Sequence, residues 1–123
     1  MKRLLPSFLM SMFFITAAQA ITCPDPKYSS LRWGEPPPPW EVNPFSPNPS
    51  YGEADVQFIR ATILVGGLGR GIICTYRSPS REYSIWQQVL VKIPSRQDYR
   101  WVESYSGYVC SNALEECQFY IAN

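Results

Sequence analysis

The sequence predicts an all-β domain: a small antiparallel sheet, sandwich or partly open barrel of about 5–6 strands, with a proline-rich N-terminal strap and two disulfides. Three observations lead there. Runs rich in β-branched and aromatic residues recur between short turns after residue 54. No stretch beyond residue 20 sustains an apolar repeat of helical period. The chain carries four cysteines and no histidine.

Residues 1–20 read as a secretory leader. Lys2 and Arg3 form a basic head, Leu4 to Ala18 is mostly apolar, and Ala18-Gln19-Ala20 places small residues where a signal peptidase cuts. The apolar run is short and broken by Pro6 and Ser7, so a membrane anchor is disfavoured. Cys23 follows Ile21-Thr22 rather than a small residue, which disfavours a lipid anchor. The expected mature chain starts near Ile21, has no transmembrane segment, and is periplasmic or extracellular. By length it is one folded unit, with a proline-rich arm over 21–53 and a β domain over 54–123. A chain of that size buries only about 60–70% of its unfolded surface, so cross-links matter.

The arm carries Trp33-Gly-Glu-Pro-Pro-Pro-Pro-Trp40. A polyproline II rod here would set the two tryptophans about 22 Å apart and on different sides. Pro36-x-x-Pro39 satisfies the minimal PxxP form of a recognition ligand, but Arg32 is poorly placed as its basic flank. The better reading is a strap, anchored by Cys23, whose tryptophans plug into the sheet.

The strands follow in order. Ala54 to Val65 predicts a central strand with Phe58, Thr62 and Leu64 on one face and Ile59, Ile63 and Val65 on the other. The cluster from Gly66 to Gly71 reads as a hairpin connection, because it lacks the G-x-G-x-x-G spacing and leads into a strand rather than a helix. Ile72 to Arg77 predicts a second strand, with Ile72, Cys74 and Tyr76 sharing a face. Tyr83 to Ile93 predicts a third, alternating except at Gln87 and stopped by Pro94. Tyr99 to Ser104, Gly107 to Cys110 and Gln118 to Ala122 are shorter strand predictions.

Cys23, Cys74, Cys110 and Cys117 are an even number in an exported chain and read as two disulfides. Three pairings are possible and sequence does not choose among them. The short Cys110–Cys117 loop is favoured, which leaves Cys23 for Cys74. A zinc site would need closer cysteine pairs, so no metal or other cofactor is expected.

The charges fall in blocks. Without Lys2 and Arg3 the chain keeps nine basic and ten acidic residues, a net of −1 that gives no global attraction to nucleic acid. Arg60, Arg70, Arg77, Arg81, Lys92, Arg96 and Arg100 face only Glu82 and Asp98 across the middle of the chain. Acidic arms flank it on both sides. The arms either lie on the basic middle and pair with it, or leave it as an anion-binding face.

Catalysis finds little support. Without histidine there is no Ser-His-Asp triad and no Cys-His nucleophile. Asp55, Glu82, Asp98 and Glu103 carry no local signature of a hydrolase carboxylate pair, and the adjacent Glu115 and Glu116 read as solvated. The aromatic residues remain. Most must fill the core, and an exposed minority can stack on a ligand. The ligand-binding candidates are Trp33, Trp40, Trp86, Trp101, Arg70 and Arg77, with Tyr51 also aromatic and near the first strand.

Cys23-Pro24, Phe58 with Ala61, Cys74-x-Tyr76, and Trp101 ahead of Cys110 and Cys117-x-Phe119 together resemble a family of small exported proteins of Gram-negative bacteria with no assigned function. The likeness spans most of residues 23–120 and leaves out the Trp33–Trp40 segment. It implies an exported, β-rich disulfide domain and carries over no catalytic residue. The functional expectation is non-enzymatic binding of a protein or glycan at the envelope or outside the cell. Its rivals are a secreted virulence-type factor binding a host protein and a carboxylate-based hydrolase. The ligand and the oligomeric state stay open.

Overall fold

The computed structural model describes residues 19–66 and 69–122. The expected leader, residues 1–20, therefore lies almost wholly outside the described residues, as do Gly67 and Leu68 within the glycine cluster. Six strands form one antiparallel open sheet: β1 (Glu41–Val42), β2 (Gln57–Gly66), β3 (Gly69–Arg77), β4 (Glu82–Gln87), β5 (Val102–Glu103) and β6 (Gly107–Cys110). Their spatial order is β1-β4-β3-β2-β6-β5. Both edge strands are two residues long, which leaves little unpaired backbone to recruit another chain.

The long pair β2–β3 is the spine. Gln57 faces Arg77 and Gly66 faces Gly69, with a register shift between Phe58 and Arg60. That bulge changes the phase of β2. Strict alternation groups Phe58 with Thr62 and Leu64, but the extra residue puts Phe58 opposite Tyr76 and Ala61 opposite Cys74. Phe58 thus joins Ala61 and Ile63 on the apolar face, and its ring meets Tyr76 edge-on at 6.0 Å. On β3 the expected alternation holds, with Ile72, Cys74 and Tyr76 all fully buried.

The third strand is shorter than its sequence pattern. β4 stops at Gln87, where Val89 N–H closes onto the Gln87 carbonyl. Gly71 lies opposite with φ +154°, and a Cβ there would sit 2.3 Å from the Gln87 oxygen, so the backbones approach too closely for any side chain. Residues 90–92 pair instead with the C-terminal segment. Ala122 N–H reaches the Leu90 carbonyl and Lys92 N–H the Tyr120 carbonyl. The tail makes only isolated bridges, Val91 to Ile121 and Ile21 to Phe119. The 99–104 segment likewise contracts to β5.

The core lies between one sheet face and a layer of irregular chain. Ala61, Ile63, Cys74 and Ile85 supply the sheet side, and Leu31, Trp40, Val91, Trp101 and Phe119 the cover. Trp40 meets Phe119 edge-on at 6.2 Å. The proline run makes a turn rather than a continuous rod, since Trp40 N–H bonds to the Pro37 carbonyl. β1 escapes sequence reading because two residues carry no periodicity; Glu41 and Val42 take their conformation from Trp86 and Ile85 opposite. Beyond β1 the chain wraps the edge of β4. Asn43 donates to Ser84 Oγ, Ser84 N–H to Ser46 Oγ, and Asn48 to the Glu82 carbonyl.

Two disulfides close this arrangement, Cys23–Cys74 and Cys110–Cys117. The first joins the arm to the middle of β3 and closes a separation of 51 residues; the second closes one of 7. Chain entropy makes the longer closure the more stabilising by roughly 1.7 kcal/mol. The Cys23→Ala/Cys74→Ala variant should therefore lose clearly more denaturant stability than Cys110→Ala/Cys117→Ala. Trp40→Ala should cost about 3–5 kcal/mol, as expected for a large buried ring; an unchanged melting curve would show that Trp40 does not hold the cover down.

Tyr76 and Tyr83 stack across β3 and β4 at 5.2 Å, with Tyr51 edge-on to Tyr83. The Tyr76 hydroxyl donates to the Pro24 carbonyl at 2.6 Å. Burial pushes both phenols above the ordinary value of 10.0, and each has a neighbouring tyrosine that adds to the rise. A phenol held protonated by the fold contributes full stability below its unfolded pKa and loses it as the pH climbs beyond. The melting temperature should hold to about pH 9 and fall above pH 10. Tyrosinate absorbance should show two phenols ionising only as the protein unfolds.

Candidate functional site

Ser30–Trp33 forms a single 3-10 turn. Ser29 is extended, and its Oγ accepts from Leu31 N–H at 3.2 Å while donating to the Asp25 carbonyl at 2.6 Å. Gly34 closes the turn in the left-handed region, with its N–H on the Leu31 carbonyl. Leu31 is the anchor, 1% exposed in the core. Ser30 Oγ donates to the Glu35 carbonyl, and Ser50 Oγ to that of Gly34. Gly52 packs so closely on the turn that a Cβ would fall 2.0 Å from the Arg32 carbonyl oxygen. The backbone of the turn is held from several sides, yet its last two side chains, Arg32 and Trp33, are exposed.

Trp33 is 70% exposed. The Arg32 guanidinium lies 5.3 Å from its ring centroid, within cation–π range. Arg32 also lines a cleft of about 340 Å³ with Pro26, Lys27, Gly52, Glu53 and Ala54. Glu53 accepts from Arg81 at 3.3 Å, and that guanidinium sits 4.0 Å over the Tyr51 ring. Tyr51 is held in turn by a hydrogen bond shared with Ser78 Oγ and another donated to the Arg81 carbonyl. Tyr28, in the preceding turn, is 85% exposed. The arrangement is an aromatic platform beside a cleft rimmed by charges of both signs.

The other tryptophans are placed differently. Trp40, Trp86 and Trp101 are buried. Trp86 meets Phe45 edge-on, and Trp101 Nε1 donates to the Gln118 carbonyl. Arg77 is paired with Glu82 at 3.1 Å, and Arg70 is exposed near the end of the β2–β3 hairpin. Tyr28, Lys27, Arg32 and Glu53 are not among the ligand-binding candidates expected from the sequence. A local signal marks the turn that carries Arg32 and Trp33: Ser-Ser-Leu-Arg-Trp-Gly is an N-cap, an apolar anchor and a C-terminal glycine around one turn, whereas Lys27, Tyr28 and Glu53 carry no such signal.

The basic middle is partly neutralised. Arg77 and Arg100 pair with the nearby Glu82 and Asp98, while Arg81 pairs with Glu53 of the acidic arm. All three pairs are exposed and worth little individually. Arg60, Arg70, Lys92 and Arg96 make no ion pair among the described residues. Among those residues there is no cluster of three or more metal-ligating side chains, and no helix is long and apolar enough to cross a membrane.

No protein-family model matches the chain, and no curated protein or solved structure matches it at a significant level.

Proposed function

We propose that this chain is an exported, non-catalytic binding protein that recognises a glycan through the Trp33 turn. The observation that carries the reading is a tryptophan left 70% exposed on a turn that is capped at both ends and anchored by buried Leu31. A pyranose ring has one apolar face, and an indole offers a broad flat surface to it at little conformational cost. Arg32, Lys27 and Glu53 beside it supply donors and an acceptor for sugar hydroxyls. Because the turn is held before binding, little ordering entropy is lost on association. The two disulfides fit an oxidising compartment, and so support export.

The test is affinity electrophoresis and tryptophan fluorescence against soluble neutral, amino and acidic polysaccharides. Binding should be saturable, with a shift in Trp33 emission. Trp33→Ala should weaken it at least tenfold and leave the melting temperature within about 2 °C, because an exposed side chain contributes little to stability. Full retention of binding by Trp33→Ala would move the site elsewhere. Failure of every polysaccharide to bind would sink the glycan reading and favour a protein ligand at the same surface.

A further inference from the structure

The opposite end of the β2–β3 hairpin carries a second surface of different chemistry. A cleft of about 310 Å³ lies there, walled by Leu64, Val65, Leu90, Val91 and Ile93, with Ala122 closing it. Leu64 and Val91 form the buried floor. Val65, Leu90 and Ile93 are 40%, 46% and 64% exposed, and they converge from separate stretches of chain. Among the described residues that line it, Arg70 is the only one with a polar side chain. Arg70 is exposed and makes no ion pair among the described residues.

We infer that this cleft binds a single aliphatic chain with an anionic head group, of the free fatty-acid class, with Arg70 as the partner of the head. The walls decide against other occupants. They carry no aromatic platform for a sugar. Three of the nearby backbone N–H groups are already engaged: Val65 N–H bonds to the Ser106 carbonyl, Lys92 N–H to that of Tyr120, and Ala122 N–H to that of Leu90. A peptide lying in the cleft would bring its own amides into contact with walls that offer almost nothing to pair with them, at a real cost. An alkyl chain has no polar group along its length to lose. Its head can pair with the one cation, as expected of a mostly apolar pocket with few polar groups at its rim. The volume suits a short to medium chain, at the small end of ligand pockets. The inference is independent of the glycan reading, because it uses none of the residues at the Trp33 turn.

The experiment is calorimetric titration of the disulfide-bonded protein with sodium hexanoate, octanoate and decanoate below their micellar concentrations. Methyl NMR shifts of Leu90 and Ile93 report the location. Binding of one chain per protein is expected, tightening by about fourfold per methylene until the cleft is full. Arg70→Gln should weaken decanoate at least fivefold and abolish its advantage over decyltrimethylammonium. Leu90→Asp and Ile93→Asp should each remove binding while the melting temperature stays near that of the parent, since both side chains are substantially exposed. Arg96→Gln, outside the cleft, should bind as the parent does. Equal affinity for decanol or the ammonium amphiphile would overturn the assignment. So would sedimentation with phosphatidylglycerol vesicles in the absence of monomer binding, which would make the surface a membrane contact instead.

Discussion

The bond from Cys23 to Cys74 is the constraint on which the rest of the structure depends. Cys74 sits on β3, near the middle of the sheet, and its side chain points to the apolar face. A single open sheet of this size has no second sheet to cover that face. The cover must come from irregular chain, which has few internal hydrogen bonds to hold its shape. Tying Cys23 to the centre of the sheet removes much of the entropy that such a cover would otherwise regain by detaching. Around that anchor Leu31, Trp40 and Phe119 pack down, and Tyr76 adds a hydrogen bond to Pro24, next to the bridge.

The two surfaces have separate origins. The Ser30–Trp33 turn is rigid because the segment it belongs to is pinned at Cys23 and plugged by Leu31. The aliphatic cleft exists because β4 breaks at Gln87 and the chain leaves the sheet to meet the C-terminal tail. That detour lifts Leu90 and Ile93 out of a strand and sets them beside Val65. Both surfaces lie where irregular chain meets a fixed sheet, a common position for binding groups on a rigid scaffold.

What the sequence disclosed follows the range of the forces involved. β3 was legible because its alternation is local and uninterrupted. The Cys110–Cys117 bridge was favoured because its six-residue loop is short, although the sequence left three pairings open, and the structure has that pairing. The bulge at Ile59 was not, since a strand's phase shows only against the partner that sets its register. The end of β4 was not, since it depends on a close approach to Gly71 and on pairing with residues 120–122. The fates of the tryptophans were equally non-local. Trp40 and Trp33 flank the same prolines, yet one is seated against Phe119 and the other faces water.

Exposure of one large side chain is ordinary and needs no function to explain it. Trp33 differs in what surrounds it. A side chain left outside for want of room usually sits on chain that is itself loosely held, and the fold gains nothing by fixing its direction. Here three serine hydroxyls, a left-handed glycine, a buried leucine and a glycine packed against the turn all fix the backbone that carries it. Little of that scaffolding contacts the indole, so it does little to stabilise Trp33 against solvent. Its effect is to present Arg32 and Trp33 together, in one orientation, beside a cleft. The order of that backbone is maintained by the burial of Leu31 and by the hydrogen bonds around the turn, so the ring is presented to solvent with little further conformational freedom to lose if a partner stacks on it.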